Sequence, residues 1–144
     1  MKIRSHAKSA IAAIVAAIVR KVMTNDMKAC IEACGECAAY CENCMMDCMD
    51  SANIKKMVDC MKLCMACAGM CRETPCTVAQ NSAAMVDMCK LCAASCTACA
   101  AECDKFPDMP YCVECAAACR ECAAQCTNMA SMAMKSMKAG VVYL

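Results

Sequence analysis

Six cysteines, Cys30, Cys34, Cys37, Cys41, Cys44 and Cys48, step along the chain by 4, 3, 4, 3 and 4 residues. A mean step of 3.5 places all six thiols on one narrow stripe of a helix. In a coiled coil that stripe is the buried seam, and Leu or Ile fills it. Here the seam is sulfur. The pattern recurs at Cys60, Cys64, Cys67 and Cys71, at Cys89, Cys92, Cys96, Cys99 and Cys103, and at Cys112, Cys115, Cys119, Cys122 and Cys126. Cys76 falls out of phase with its neighbours.

Thiols aligned in this way could form disulfides, pack as small hydrophobes, relay electrons or bind metal. A disulfide scaffold belongs to short, loop-rich secreted chains. The 21 cysteines are an odd number and lie in long helical patterns. Thiols three or four apart on one helix have Cβ vectors that run side by side, which suits shared ligation better than an unstrained S–S bond. As packing, cysteine fills a core less well than Leu, and it oxidises. No Leu, Ile or Val replaces a seam cysteine within the four runs.

Soft thiolates select Cu(I), zinc or iron–sulfur clusters. A zinc site takes four converging ligands, commonly from Cys-x-x-Cys knuckles. The seven Cys-x-x-Cys pairs here, at 34/37, 41/44, 64/67, 89/92, 96/99, 112/115 and 119/122, lie inside continuous helical patterns. The Cys-x-x-Cys-x-x-Cys run of a ferredoxin does not occur. A column of thiols suits an ion that accepts two or three thiolates and lets each one bridge, and Cu(I) does so. If each thiolate serves two ions and each ion two thiolates, the load approaches ~1 Cu(I) per cysteine. That is storage, with no turnover; a carrier needs one site. A thiol–disulfide relay and a zinc or iron–sulfur bundle remain the alternatives. The relay needs one exposed thiol of low pKa, which mid-helix seam pairs supply poorly.

Methionine is also abundant, with 17 residues. Steps of seven from the cysteine registers land on Met23 and Met27 before the first run, Met85 before the third and Met129 after the fourth. In an antiparallel bundle these positions share one end, with Cys71 and Cys76 beside them and Met88 and Met132 flanking. Thioethers bind Cu(I) without deprotonation, so this end is expected to be the mouth by which copper enters. The opposite end has only Met57 in phase.

The elements that must hold these side chains follow from the punctuation. Thr24, Asn25 and Asp26 supply capping oxygens for a first helix running to about Asp50. A second is expected from about Ile54 to Glu73, ended by Thr74-Pro75. A third starts between Thr77 and Ser82 and ends near Lys105, and Phe106-Pro107-Asp108-Met109-Pro110 stops it, with Asp108 as cap for a fourth that fades before Gly140. Short connections make successive helices antiparallel neighbours. The expected fold is all-α, an antiparallel up-down-up-down four-helix bundle over residues 24–144, preceded by an apolar N-terminal helix over residues 1–23. In that leading segment Ile3, Ile11, Ile14, Ile18 and Val22 are expected to face the bundle or another subunit. Residues 10–19 are wholly apolar, too short a run to span a bilayer. Lys2 and Arg4 precede it as in a secretory signal, but Arg20 and Lys21 follow at once, with no small-x-small cleavage site before them and no twin arginine. Small residues such as Ala116–Ala118, Ala123 and Ala124 are expected on outward positions.

The net charge of +1 implies no strong pull toward nucleic acid or acidic lipid, and the lack of Trp with a single Phe leaves no stacking platform for bases. With one histidine, His6, an imidazole-based site is not expected.

The four cysteine seams, with the Cys103-Asp104-Lys105-Phe106-Pro107 turn leading into Cys112-Val113-Glu114-Cys115-Ala116-Ala117-Ala118-Cys119-Arg120-Glu121-Cys122, resemble the copper storage proteins over residues 26–128. The resemblance implies a four-helix bundle, usually with an added N-terminal helix. It implies a homotetramer whose bundle cores fill with Cu(I) held mostly by pairs of Cys and entering at one end; apart from the resemblance, a copper chaperone is a candidate partner. The absent twin arginine and the high cysteine count resemble the cytosolic members, with export the alternative if the apolar run is a signal. The family's mouth often includes His; here Met dominates.

Overall fold

The computed structural model describes residues 6–14 and 24–140. Four helices carry the cysteine runs: α1 (Asn25–Met49), α2 (Val58–Ala79), α3 (Met85–Cys103) and α4 (Pro110–Lys138). No strand occurs among the described residues. Each helix packs against two others, α1 on α2, α2 on α3, α3 on α4 and α4 on α1, while the diagonal pairs meet through core sulfurs, as in Cys37 with Cys96 and Cys71 with Cys122. That closed ring is the up-down-up-down bundle that the short connections predict.

The start of α1 is fixed by a capping box. Thr24 is the N-cap, its hydroxyl accepts from the Met27 N–H at 3.2 Å, and the Met27 sulfur accepts from the Thr24 N–H at 3.4 Å. A 3₁₀ turn over Ile54–Met57 feeds straight into α2, so the chain is helical from Ile54 as expected.

The end of α2 departs from expectation. The helix runs through Pro75 to Ala79. A proline removes one N–H and crowds the carbonyl four residues back, but here it sits in the closing turns, where one missing bond is tolerated. The Thr74 hydroxyl donates to the Met70 carbonyl at 2.7 Å, and Gln80 N–H closes on Cys76 O at 3.0 Å. What ends the helix is Asn81, in the left-handed region with φ 51°, a conformation Asn tolerates at helix C-termini. As a result α3 starts later than expected, at Met85, after a turn in which Ser82 O accepts from Met85 N–H.

At the α3–α4 junction the N-cap is Met109 and not Asp108. Pro110 occupies the first helical position, and the residue before a proline is driven to the extended backbone that an N-cap needs. Ala116 also differs from expectation: it is buried, one of seven core alanines among the described residues, with Ala33, Ala38, Ala68, Ala100, Ala130 and Ala133. These small side chains stand beside the sulfur seam and allow the helices to approach closely. Outside, Arg72 of α2 pairs with Glu42 of α1, and Arg120 of α4 pairs with Asp104 at the end of α3.

Residues 6–14 are helical, with every side chain exposed. Ile11 and Ile14, at 60% and 59% exposure, do not pack on the bundle. Ile3, Ile18, Val22 and Met23 lie outside the described residues.

Candidate metal centre

Twenty of the 21 cysteines are buried, and no described pair is joined covalently. A helix repeats every 3.6 residues, so the 4/3 alternation returns each thiol to the inward face. Cys76 is the exception. A five-residue step from Cys71 turns it about 140° round the helix, and it is exposed on the outside of α2. Cys76, expected in the ligand set, thus stands outside the buried ladder.

The sulfurs form a ladder across the bundle. From the end nearest the start of α1, Cys126 lies 3.8 Å from Cys30 and 3.7 Å from Cys34, and Cys122 lies 3.6 Å from Cys34. Cys71 reaches Cys92, Cys96 and Cys122, each at 3.7 Å. Cys67 approaches Cys96 at 3.5 Å, and Cys37 lies 3.7 Å from Cys119. Cys41 then touches Cys119 at 3.7 Å and Cys115 at 3.8 Å, and Cys64 touches Cys99 at 3.7 Å. Near the far end Cys44 lies 3.9 Å from Cys112 and Cys60 lies 3.8 Å from Cys103. Cys48 and Cys89 are fully buried with the rest.

Sets of four sulfurs all within 4.8 Å of one another recur along this ladder. They include Cys34, Cys92, Cys122 and Cys126; Cys37, Cys71, Cys96 and Cys122; Cys37, Cys41, Cys67 and Cys119; Cys41, Cys99, Cys115 and Cys119; and Cys44, Cys60, Cys103 and Cys112. Successive sets share members: Cys122 belongs to the first two, Cys37 to the second and third, and Cys41 and Cys119 to the third and fourth. A shared sulfur can bridge two ions. Two metal–sulfur bonds of about 2.3 Å, opened to about 110–120°, separate their sulfurs by about 3.8–4.0 Å. The observed contacts of 3.5–4.0 Å match that span, so metal can enter with side-chain adjustment alone.

Burial and then repulsion from a neighbouring Cys60 thiolate push the Cys112 thiol up to about 11, and the same two causes in the same order push Cys48 up to about 12. Hydrogen bonding to Cys115, followed by other thiol contacts and burial, also raises Cys41 and Cys119. Cys99 runs the other way, lowered to about 6 chiefly by hydrogen bonding from Cys103. A Cu(I) ion that enters as a thiol loses its proton leaves no net charge in the core.

The expected mouth can be placed in part. Met27, Met85 and Met129 are buried at 3%, 1% and 5% exposure. Asn128 donates to Asp26 at 3.2 Å, which ties this part of α4 to the start of α1. Met88 is half-buried and Met132 exposed. Met57 is fully buried on the approach to α2. It was in phase with Cys64, seven residues on, and that spacing was the available signal for its inward position.

The family model described as copper storage protein matches residues 23–131. The chain is 37% identical to the Cu(I)-bound copper storage protein BsCsp3, covering 74% of this chain and 99% of that one with a TM-score of 0.69. To apo copper storage protein 3 from Bacillus subtilis it is 38% identical, covering 72% of this chain and 97% of that one with a TM-score of 0.67. To the copper storage protein Ccsp from Streptomyces lividans, loaded with 10 copper equivalents, it is 25% identical, covering 78% of this chain and 96% of that one with a TM-score of 0.73. No curated protein sequence matches it significantly.

Proposed function

The chain belongs to the copper storage protein family, and from that premise we propose that it stores many Cu(I) ions along its own sulfur ladder, without catalytic turnover. The observation that carries this reading is the overlap of the four-sulfur sets at Cys122, Cys37, Cys41 and Cys119. Isolated sites would give a fixed small number of ions; shared thiolates make capacity grow with the column.

The ligands are the twenty buried cysteines, from Cys30, Cys34 and Cys126 at one end to Cys48, Cys60 and Cys112 at the other. Met27, Met85 and Met129, with Met23 before them in the sequence, provide thioethers where copper first arrives. The zinc and iron–sulfur readings suit this geometry less well, because the sets joined at Cys122, Cys37, Cys41 and Cys119 share sulfurs and do not stand as separate four-ligand sites. A thiol–disulfide relay would need an exposed reactive pair, and the thiols of the ladder are buried.

Assembly as a homotetramer, residence in the cytoplasm and exchange with a copper chaperone belong to the same proposal. Support for the first is the family likeness together with outward apolar side chains such as Met65, Leu91 and Val113. Support for the second is a structural relative described as a cytosolic copper storage protein from Streptomyces lividans.

The test is an anaerobic titration of the reduced protein with Cu(I) against a coloured chelator. Uptake is expected to continue toward ~1 Cu(I) per ladder cysteine, with helicity unchanged because the apo core is already packed. A plateau at about one to four ions, the capacity of isolated sites, refutes storage.

A further inference from the structure

Between the helices, surface recesses reach the sulfur ladder from the side. One, of about 250 Å³, lies between α1 and α2 and ends on Cys41 and Cys64. Its carboxylate, Glu42, is already engaged by Arg72. Another, of about 260 Å³, lies between α1 and the start of α4 and ends on Cys44. The exposed side chains of Met46, Asp47 and Glu114 line it, and Tyr40 and the half-buried Tyr111 wall it. No Lys or Arg lines this second recess, and Asp47 and Glu114 form no ion pair with any described residue.

The floor of the α1–α4 recess is a member of the ladder. Cys44 is fully buried, 3.9 Å from Cys112, and belongs with Cys60, Cys103 and Cys112 to a set of sulfurs spaced to hold a metal ion. It therefore has the ladder on one side and a recess open to solvent on the other. Met46, at 58% exposure, puts a thioether beside that thiol. Free carboxylates raise the local concentration of a cation. A thioether is a soft donor that selects Cu(I) and has no proton to lose. The thiol beneath binds more strongly once its proton leaves. From outside to inside the donors run from hard and weak to soft and strong, a gradient that draws Cu(I) inward.

We propose that this recess is a second port for copper, at the end of the bundle away from Met27, Met85 and Met129. The proposal rests on the storage reading. A cationic Cu(I) complex is drawn in by Asp47 and Glu114 and passes to the Met46 thioether. It reaches Cys44 when that thiol turns about its single side-chain torsion between staggered positions. Copper stays in the +1 state. A Cu–S bond forms at Cys44, the S–H proton goes to water, and the neutral ligands of the carrier leave. The ion then passes to Cys112 and into the set with Cys60 and Cys103, so the ladder fills from both ends.

The test is anaerobic stopped-flow uptake by the reduced full-length protein from two carriers, the cationic Cu(I)–acetonitrile complex and the anionic Cu(I)–bicinchoninate complex. Met46→Leu keeps the apolar volume and removes only the sulfur, while Asp47→Asn with Glu114→Gln removes only the charge. Each is expected to slow initial uptake from the cationic carrier at least about twofold at low salt, and the loss from the charge variant is expected to shrink in about 0.5 M salt. The charge variant should not slow uptake from the anionic carrier, and all plateaus should match the parent. In the parent, the carbon-13 methyl resonance of Met46, identified by its loss in Met46→Leu, should shift at substoichiometric Cu(I). Parent rates in Met46→Leu, an unmoved Met46 methyl, or equal slowing from both carriers in the charge variant overturns the port. These outcomes at a high plateau leave storage standing, whereas a parent plateau of about one to four ions, the capacity of isolated sites, overturns storage and the port together.

Discussion

The sulfur of Cys67 on α2 lies 3.5 Å from that of Cys96 on α3. A disulfide would bring them to about 2.05 Å; an ion between them would push them apart by a few tenths of an ångström. Neither sulfur is isolated, since Cys96 also lies 3.7 Å from Cys71 and Cys67 lies 3.8 Å from Cys37. The ladder therefore stands closer to the metal-bound geometry than to the oxidised one, and loading calls for rotamer changes with the backbone in place.

Removing one sulfur from the middle should cost more copper than removing one from the outside. Cys37 touches Cys41, Cys67, Cys96 and Cys119 and belongs to two of the four-sulfur sets. Cys37→Ala is expected to lower the Cu(I) plateau by one or two ions and to destabilise the apo protein by about 1 kcal/mol, the loss of a small buried group. Cys76→Ala, on the exposed face of α2, should leave both unchanged. Parallel chelator titrations and thermal melts decide, and equal losses from both variants would remove the ladder as the copper store.

The raised thiols at the Cys48–Cys112 end give the apo protein a specific pH response. Folding raises them from an ordinary value of 9.0 to about 12 and about 11. A group raised on folding contributes stability in full below its unfolded pKa and loses it as pH climbs through the folded value. The reduced apo protein should therefore lose stability between pH 9 and 12, and Cys48→Ala with Cys112→Ala should flatten the loss. The Cu(I)-loaded protein should show little of it, because its thiolates are already ionised. Denaturant midpoints measured across that range check the sign. A midpoint that rises with pH contradicts the buried-thiol account.

The seam was readable because cysteine so seldom repeats on a helical period that twenty phased thiols leave little else to infer; the inward position of Met27, Met85 and Met129 followed from the same register. The helix ends were less legible. Pro75 looked like a terminus, yet a proline near the C-terminal turns costs one bond and the helix absorbs it. Asn81 sets the end instead, through a backbone conformation that residue type only permits. Asp108 looked like a cap by side chain, but Pro110 decides the cap by sterics and selects Met109. Ala116 looked outward because alanine reads alike on a wet face and in a tight helix contact.

Two helical glycines offer stabilisation that the copper site does not oppose. A Cβ built on Gly35 or on Gly69 meets nothing within 4 Å. Gly35→Ala and Gly69→Ala should each stabilise the apo protein by about 0.5–1 kcal/mol, the helix-propensity difference at an exposed position. Copper capacity should be unaffected. Denaturant unfolding, paired with sedimentation to follow the oligomeric state, distinguishes this from a tighter role. If either alanine weakens assembly, that glycine lies where two subunits' backbones approach closely.

The capping box at Thr24 links local helix chemistry to copper uptake. The Thr24 hydroxyl accepts from Met27 N–H, and the Met27 thioether accepts from Thr24 N–H, so one residue both closes the first turn of α1 and is expected to receive copper. Thr24→Ala removes one partner of the box and should cost about 1 kcal/mol. The loss should be local, because Cys30 and the rest of the seam lie at least one turn further in. The final Cu(I) plateau is therefore expected to match the parent, while the initial rate of transfer from a Cu(I)–chelator complex changes. Thr24→Ser, which restores the accepting oxygen, should return the parent rate. Stopped-flow transfer on the three proteins reads the difference. An unchanged rate in Thr24→Ala, with the expected fall in stability, would place copper uptake away from Met27 and toward the opposite end, where Met57 lies.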